Sequence, residues 1–198
     1  KELHRITQEI HAFDSEFTGL SDETMYQQIS DVRYALLSTE LSRASVARAF
    51  SLVREVSGRV LGMRHFDVQL YAGWLIFHGM LAEMNTGEGK TLTATLPAST
   101  AALAGIPVHV ITANEYLASR DAEIMTPVYQ ALGLSVGVIR ESSTPEERRA
   151  AYGCDVTYCT NSQVAFDYLK DRMVLKREDT RLKLELGKLE PGSRRIDN

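Results

Sequence analysis

With 198 residues, of which 44% are hydrophobic and 24% charged, the chain has the composition of a soluble globular protein and the length of one sizeable α/β domain. Its net charge of −4 excludes a global basic field that would attract nucleic acid or anionic lipid, and leaves room only for a local basic patch. No apolar run approaches the roughly 20 residues that span a bilayer and no signal peptide opens the sequence, so a cytosolic protein touching membranes only at their periphery is expected. Lys1 in place of Met and the polar end at Asn198 suggest a piece of something larger.

The first part of the sequence reads as helical. Ser21 followed by Asp22 and Glu23 is a helix start with acidic residues in the first turn, and this helix should run to about Leu37. A second helix begins after Ser42. Its apolar positions Val46, Phe50, Val53, Val56 and Val60 recur at three and four residues, and Gly62 closes it. Both are most simply scaffold.

From Met80 onward strands alternate with helices. Met80–Met84 is a short apolar run read as a strand, and Lys90 to about Leu103 as a helix ended by Gly105-Ile106-Pro107. Val108–Thr112 is a buried strand, and roughly Tyr116–Leu132 a helix stopped by Gly133. Ser135–Ile139 is the next strand. Thr144-Pro145-Glu146-Glu147 is a capping box with Pro at the first helical position, so a short helix should reach about Tyr152. Val156–Cys159 is a further strand and Gln163–Met173 a further helix. Apolar strands separated by helices imply a parallel sheet covered on both faces. The charge-rich stretch from Lys176 and the turn at Pro191-Gly192 have no clear pattern.

The strongest chemical signal is Met84-Asn85-Thr86-Gly87-Glu88-Gly89-Lys90-Thr91. The pattern G-x-x-x-x-G-K-[ST] forms a loop whose backbone N–H groups cradle phosphates, whose Lys reaches the β/γ oxygens and whose Ser/Thr hydroxyl ligates Mg²⁺. Met84 stands where the first Gly belongs. The remaining G-x-G-K-T is expected by chance on the order of 0.01 times in a chain of this length. Lys90 has no structural excuse at a helix start, because burying it unpaired is costly. Thr91 follows as the Mg²⁺ ligand, and Gly87 and Gly89 let the backbone approach the phosphates. Glu88, within the loop, reads as pointing to solvent rather than as a catalytic carboxylate. Upstream, the Gln69 amide suits the N6/N7 edge of adenine and Phe66 offers a ring for stacking, although on the residues alone an ordinary surface Gln is the simpler reading.

Other candidates are weaker. The five His residues have no metal-ligand spacing; His109, inside an apolar strand, reads as a core residue, and Trp74 and Tyr71 read as packing. Cys154 and Cys159 match neither a redox pair nor a zinc knuckle and are read as reduced structural thiols. A phosphate-loop hydrolase needs an acidic residue at the end of a later strand, yet the candidate strands end in Thr112, Ile139 and Thr160. The expectation is a nucleotide-binding chain with no catalytic residue of its own.

Several segments resemble one family closely. They are Gly62–Leu70 (GMRHFDVQL), Ala82–Leu92 (AEMNTGEGKTL), Val108–Ala122 (VHVITANEYLASRDA), Leu132–Gly137, Thr157–Asn161 and Phe166–Asp171. Together they are similar to SecA, the motor ATPase of bacterial preprotein translocation. The resemblance implies a partial RecA-like P-loop domain over 61–175, a helical amino-terminal region over 1–60 packed on it, and a charged tail over 176–198. It further implies adenine recognition by Gln69, beside which Phe66 remains the stacking candidate read from the residues, and ATP or ADP with Mg²⁺ held by Thr86, Gly87, Glu88, Gly89, Lys90 and Thr91. Three departures stand out: Asn85 in place of a basic residue, Tyr71-Ala72 after the adenine motif, and Glu115 in Thr112-Ala-Asn-Glu. The implied partners are preprotein and a SecYEG-type membrane channel, with a homodimer left open and no nucleic acid. Localisation at the inner face of the cell membrane follows from the same likeness. The full-length protein would be a protein-translocating ATPase and this chain alone inactive or very weak, with missing central strands leaving apolar sheet edges exposed. Two alternatives remain: a fragment of a DEAD-type superfamily 2 helicase, which shares the loop and the adenine Gln, and a non-catalytic nucleotide-binding module.

Overall fold

A computed structural model describes residues 2–174, so the expectations for 176–198 lie outside the described residues. The elements in order are α1 (Glu2–His11), α2 (Asp14–Phe17), α3 (Asp22–Ser38), α4 (Arg43–Leu61), α5 (Asp67–Phe77), α6 (Lys90–Leu103), β1 (Val108–Thr112), α7 (Glu115–Ala131), β2 (Val136–Val138), α8 (Pro145–Tyr152), β3 (Val156–Thr160) and α9 (Asn161–Val174). The strands form a parallel sheet in the order β1-β3-β2. Val108 pairs with Val156 and Thr112 with Thr160 on one side of β3, and Val136 with Val156 on the other.

Local chemistry sets most boundaries. Ser21, Ser42 and Asn114 each accept a hydrogen bond from a backbone N–H three residues on, which starts α3, α4 and α7. Both halves of the capping box form around α8, with Thr144 and Glu147 satisfying each other's backbone. Gly62 ends α4 with φ +67, a conformation a β-carbon would disfavour.

Alternation along β3 sorts the core onto two faces. Val156 and Tyr158 join the large cluster beneath α7, whereas Cys159 packs on the other face with Ile139, Ala151 and Tyr152. The large cluster continues through α4, whose Phe50, Leu52 and Val53 are fully buried, out to Ile6 and Ile10 of α1. Tyr129 and Tyr158 meet inside it, hydroxyl to hydroxyl at 3.2 Å. The covering of the parallel sheet by helices on both faces agrees with the sequence reading.

Close approach also fixes residue identity. A β-carbon on Gly137 of β2 would lie 2.6 Å from the Ala151 carbonyl oxygen and 2.7 Å from its Cα. Backbone has to move to admit it, so Gly137→Ala is expected to cost about 2 kcal/mol. Chemical denaturation measures this; an unchanged midpoint would mean that α8 is not held against β2 this tightly.

Four expectations need correction. Val108–Thr112 is a strand but not a buried one: it lies at the end of the strand order, none of its residues is buried, and Ile111 is 53% exposed. Met80–Met84 is not a strand: the segment has no regular secondary structure and pairs with none of the described strands, and Leu81 is 94% exposed. Extended backbone becomes a strand only where a neighbour supplies its hydrogen bonds. Asp67–Phe77 is helical although no helix was assigned there. Its sequence is apolar nearly all round, so it has no stripe; Leu70 and Trp74 pack inward and the Gln69 side chain caps it by accepting the Phe66 N–H at 2.9 Å. His109 is only half-buried, its ring lying 5.3 Å from that of Tyr152. Trp74 is packing, as expected, with Phe50 edge-on at 5.7 Å.

Charged side chains tie the amino-terminal helices to α4. Asp14 accepts from Ser51 Oγ at 2.6 Å, from Arg54 Nη1 at 2.8 Å and from His11 Nδ1 at 2.9 Å. Burial alone would raise its pKa, but the Ser51 and His11 hydrogen bonds and the Arg54 charge hold it below the usual value. Glu55, nearly buried, is matched by Arg59 at 3.0 Å and Arg64 at 2.7 Å. Among the described residues no helix is long and apolar enough to cross a membrane.

Candidate nucleotide site

The loop 85–89 runs directly into α6. Gly87 and Gly89 both take positive φ, +88° and +78°, and Gly89 is the N-cap of α6 with no side chain capping it. An α-helix leaves its first N–H groups without an intrahelical acceptor, and here nothing from a capping side chain satisfies them. The 14-residue α6 therefore presents bare N–H groups and the positive end of its dipole towards the loop.

Lys90 and Thr91 stand at this end. The Lys90 ammonium is exposed and donates to the Asn85 carbonyl at 2.8 Å, which leaves two of its three N–H donors for an anion. Asn85, one of the departures noted above, organises the loop. Its backbone N–H donates to Glu88 Oε2 at 2.6 Å and its side-chain amide to Glu88 Oε1 at 3.1 Å. Glu88 is exposed, as expected, but it is bound to the loop rather than left in solvent.

Gln69 links α5 to the same loop. Its amide oxygen accepts from Phe66 N and its Nε2 donates to the Glu88 carbonyl, each at 2.9 Å. The residue is 5% exposed, and one N–H and one lone pair remain uncommitted. A β-carbon on Gly89 would overlap Gln69 Nε2, so the amide fills the space a side chain would need. Phe66, at the N-cap of α5, is 72% exposed and its ring is open to a ligand. The structure thus brings Gln69, Glu88, Gly89, Lys90 and Thr91 together, with Gly87 and Thr86 in the intervening turn.

Two participants escaped the sequence reading. Thr91 Oγ1 donates to Asp121 Oδ2 of α7 at 3.2 Å, and Asp121 Oδ1 is held by Arg120 at 2.7 Å. The carboxylate beside Thr91 is thus delivered by a helix and not by the end of a strand, where one was expected. His65, read only as one of five scattered His, is 1% exposed and anchored to α6 at Leu92, two residues from Lys90. Its Nε2 lies 2.9 Å from the Leu92 carbonyl and Nδ1 has no partner among the described residues, which assigns the neutral ring with the proton on Nε2. Burial, followed by the positive charge of Arg54, outweighs the hydrogen bond to Leu92 and lowers its pKa to about 4.

The fit to a nucleoside triphosphate is good on three counts: an uncapped helix N-terminus, a loop whose two glycines take positive φ, and an exposed ammonium beside both. The Thr91 hydroxyl, its proton taken up by Asp121, keeps its lone pairs for a hard cation such as Mg²⁺. Neither thiol belongs to this site. Cys159 is buried, and burial pushes it up to about 11; Cys154 lies at the end of α8 with its Sγ 3.5 Å from the Ala150 carbonyl.

The family model for the SecA DEAD-like domain matches residues 1–187. The chain is 50% identical over 192 residues to the protein translocase subunit SecA 2 of Bordetella avium, covering 97% of this chain and 29% of that protein. It is 50% identical over 179 residues to the SecA subunit of Syntrophomonas wolfei, covering 90% and 22%. The SecA subunit of Francisella tularensis subsp. novicida is 48% identical over 178 residues, covering 90% and 20%. The chain thus spans between a fifth and three tenths of the length of these relatives. By the extent of the family match, it belongs to the SecA DEAD-like domain family.

Proposed function

We propose that this chain is the ATP-binding portion of a SecA-type motor that couples ATP hydrolysis to protein export through a Sec translocon. The observation that carries this reading is the uncapped N-terminus of α6, with Gly89 in the left-handed conformation and Lys90 exposed beside it. In this reading residues 61–175 are part of the first RecA-like domain and residues 1–60 a helical region packed against it.

Each residue then has a task. The N–H groups of the loop and of the first turn of α6 bind the β- and γ-phosphate oxygens, and Lys90 exchanges the Asn85 carbonyl for phosphate. Thr91 ligates Mg²⁺, which neutralises phosphate charge when bound, and Asp121 orients the Thr91 hydroxyl. Gln69 offers its remaining N–H and lone pair to the adenine edge while its other atoms hold the Glu88 carbonyl, so base recognition and loop shape are linked. Phe66 flanks the base.

None of these groups is placed to deprotonate water: Glu88 is bound to Asn85, and Asp121 is occupied by Thr91 and Arg120. Hydrolysis by this chain alone is therefore expected to be feeble. Preprotein and a SecYEG-type channel are the proposed partners of the full motor, at the inner face of the cell membrane. Phosphate-release assays test the assignment of the chemistry to other residues. Turnover close to background supports it; robust turnover abolished by Lys90→Ala would overturn it.

A further inference from the structure

A second candidate site shares no residue with the phosphate loop. The carboxyl ends of β1 and β3, with α8 and α9, enclose an open cleft of about 610 Å³, lined among others by Glu115, Glu141, Gln163, Phe166, Asp167 and Lys170. The nucleotide reading makes no use of it. At its base Asp167 of α9 is fully buried. One carboxylate oxygen, Oδ2, accepts from Arg148 Nη1 at 2.9 Å and from the Tyr152 hydroxyl at 3.1 Å. The other, Oδ1, is buried and has no hydrogen bond among the described residues; Lys170 Nζ stands 3.7 Å away on a side chain that is 61% exposed.

A buried carboxylate oxygen without a donor is costly and points to a missing partner. The charge around it decides which kind. Arg148 is nearly spent: Nε donates to the Ser143 carbonyl at 3.1 Å, Nη1 to Asp167, and Nη2 to the Arg140 and Glu141 carbonyls at 2.7 and 3.3 Å. Four of its five N–H groups are thus committed. Glu141 adds an exposed carboxylate, and Glu115, whose Oε2 already accepts from the Glu141 N–H and from Gln163 Nε2, adds a second negative charge, so the charge left at the cleft favours a cation. The exposed ring of Phe166, 64% accessible, provides a flat apolar face beside them.

We propose that this cleft is a docking notch for an arginine side chain carried by a polypeptide. A planar guanidinium has the fork to reach Asp167 Oδ1 and a rim carboxylate together and the face to stack on Phe166, which a compact ammonium lacks. Lys170 holds the notch in the absence of that partner and is displaced by it.

Amide chemical shifts of the full ¹⁵N-labelled chain, titrated with the peptide Ac-Gly-Arg-Gly-NH₂, test this directly. Saturable shifts should cluster on residues 160–170 and at Glu141, with the lysine peptide binding at least about fivefold more weakly and the glutamate peptide not saturating. Lys170→Ala should tighten arginine-peptide binding, and Glu141→Gln should weaken it. Both side chains are exposed, so neither result depends on the stability of Asp167 variants. Shifts that fail to saturate, equal shifts with all three peptides, or weaker binding in Lys170→Ala would overturn the proposal. Tighter binding of an RNA oligonucleotide or of inorganic phosphate at the same residues would overturn it too, and would make the cleft an anion site.

Discussion

Acidification from pH 7 to pH 4 is expected to remove about 3 kcal/mol of stability through one side chain, His65. In the unfolded chain this His takes a proton near its ordinary value of 6.5, whereas in the fold its pKa is lowered to about 4. Between those values the unfolded state binds the extra proton, so stability falls as pH falls through that window and levels off below it. The ring cannot accept a proton at Nδ1 in place, because that atom is buried without any acceptor. Asp14, held below its ordinary value of 3.8, adds a loss that sets in as pH falls through that ordinary value, at the lower edge of the His65 window. Urea denaturation of wild-type and His65→Gln at several pH values measures the effect. The variant should lose the decline between pH 6.5 and 4; identical curves would show that His65 titrates normally in the fold.

Gly89→Ala should cost nearly as much, and should damage binding as well as folding. The residue sits at φ +78, where an L side chain costs about 1 kcal/mol, and its β-carbon would collide with the Gln69 amide. Gln69 is itself buried and tied at both ends, so the amide cannot simply swing clear. Displacing it forfeits the bond to the Glu88 carbonyl and brings the total to about 3 kcal/mol. The substitution should therefore lower the denaturation midpoint and weaken nucleotide binding together. Gln69→Ala in the same background relieves the collision, so the double variant should recover part of the stability but not adenine discrimination. A Gly89→Ala protein with wild-type stability and affinity would show that the amide does not occupy this space.

The sequence was most informative where local chemistry acts alone. Ser21, Ser42 and the Thr144 box marked three helix starts because a cap is decided within four residues, and Gly62 and Gly133 marked ends for the same reason. The β1 strand and α6 emerged with the expected bounds. Met80–Met84 was misread because whether an apolar extended run becomes a strand depends on what lies beside it. Asp67–Phe77 was missed because a helix buried on several sides has no amphipathic stripe. In the candidate site, the glycines, Lys90 and Thr91 were legible as a motif, whereas Asp121 is brought to Thr91 only by the packing of α7 beside α6. The bond between Gln69 and the Glu88 carbonyl spans 19 residues and was likewise invisible. Asn85, noticed as a departure from the family, turned out to hold both Glu88 and Lys90.

The central claim, that residues 85–91 with Gln69 form the binding half of an ATP site, is tested most directly by fluorescence titration with a labelled ATP analogue in the presence of Mg²⁺. The chain should bind saturably, and Lys90→Ala should weaken binding by about tenfold or more while leaving thermal unfolding unchanged, because Lys90 is exposed and supports no core contact. Equal affinity in the two proteins, or no saturable binding by the wild-type chain, would contradict the account.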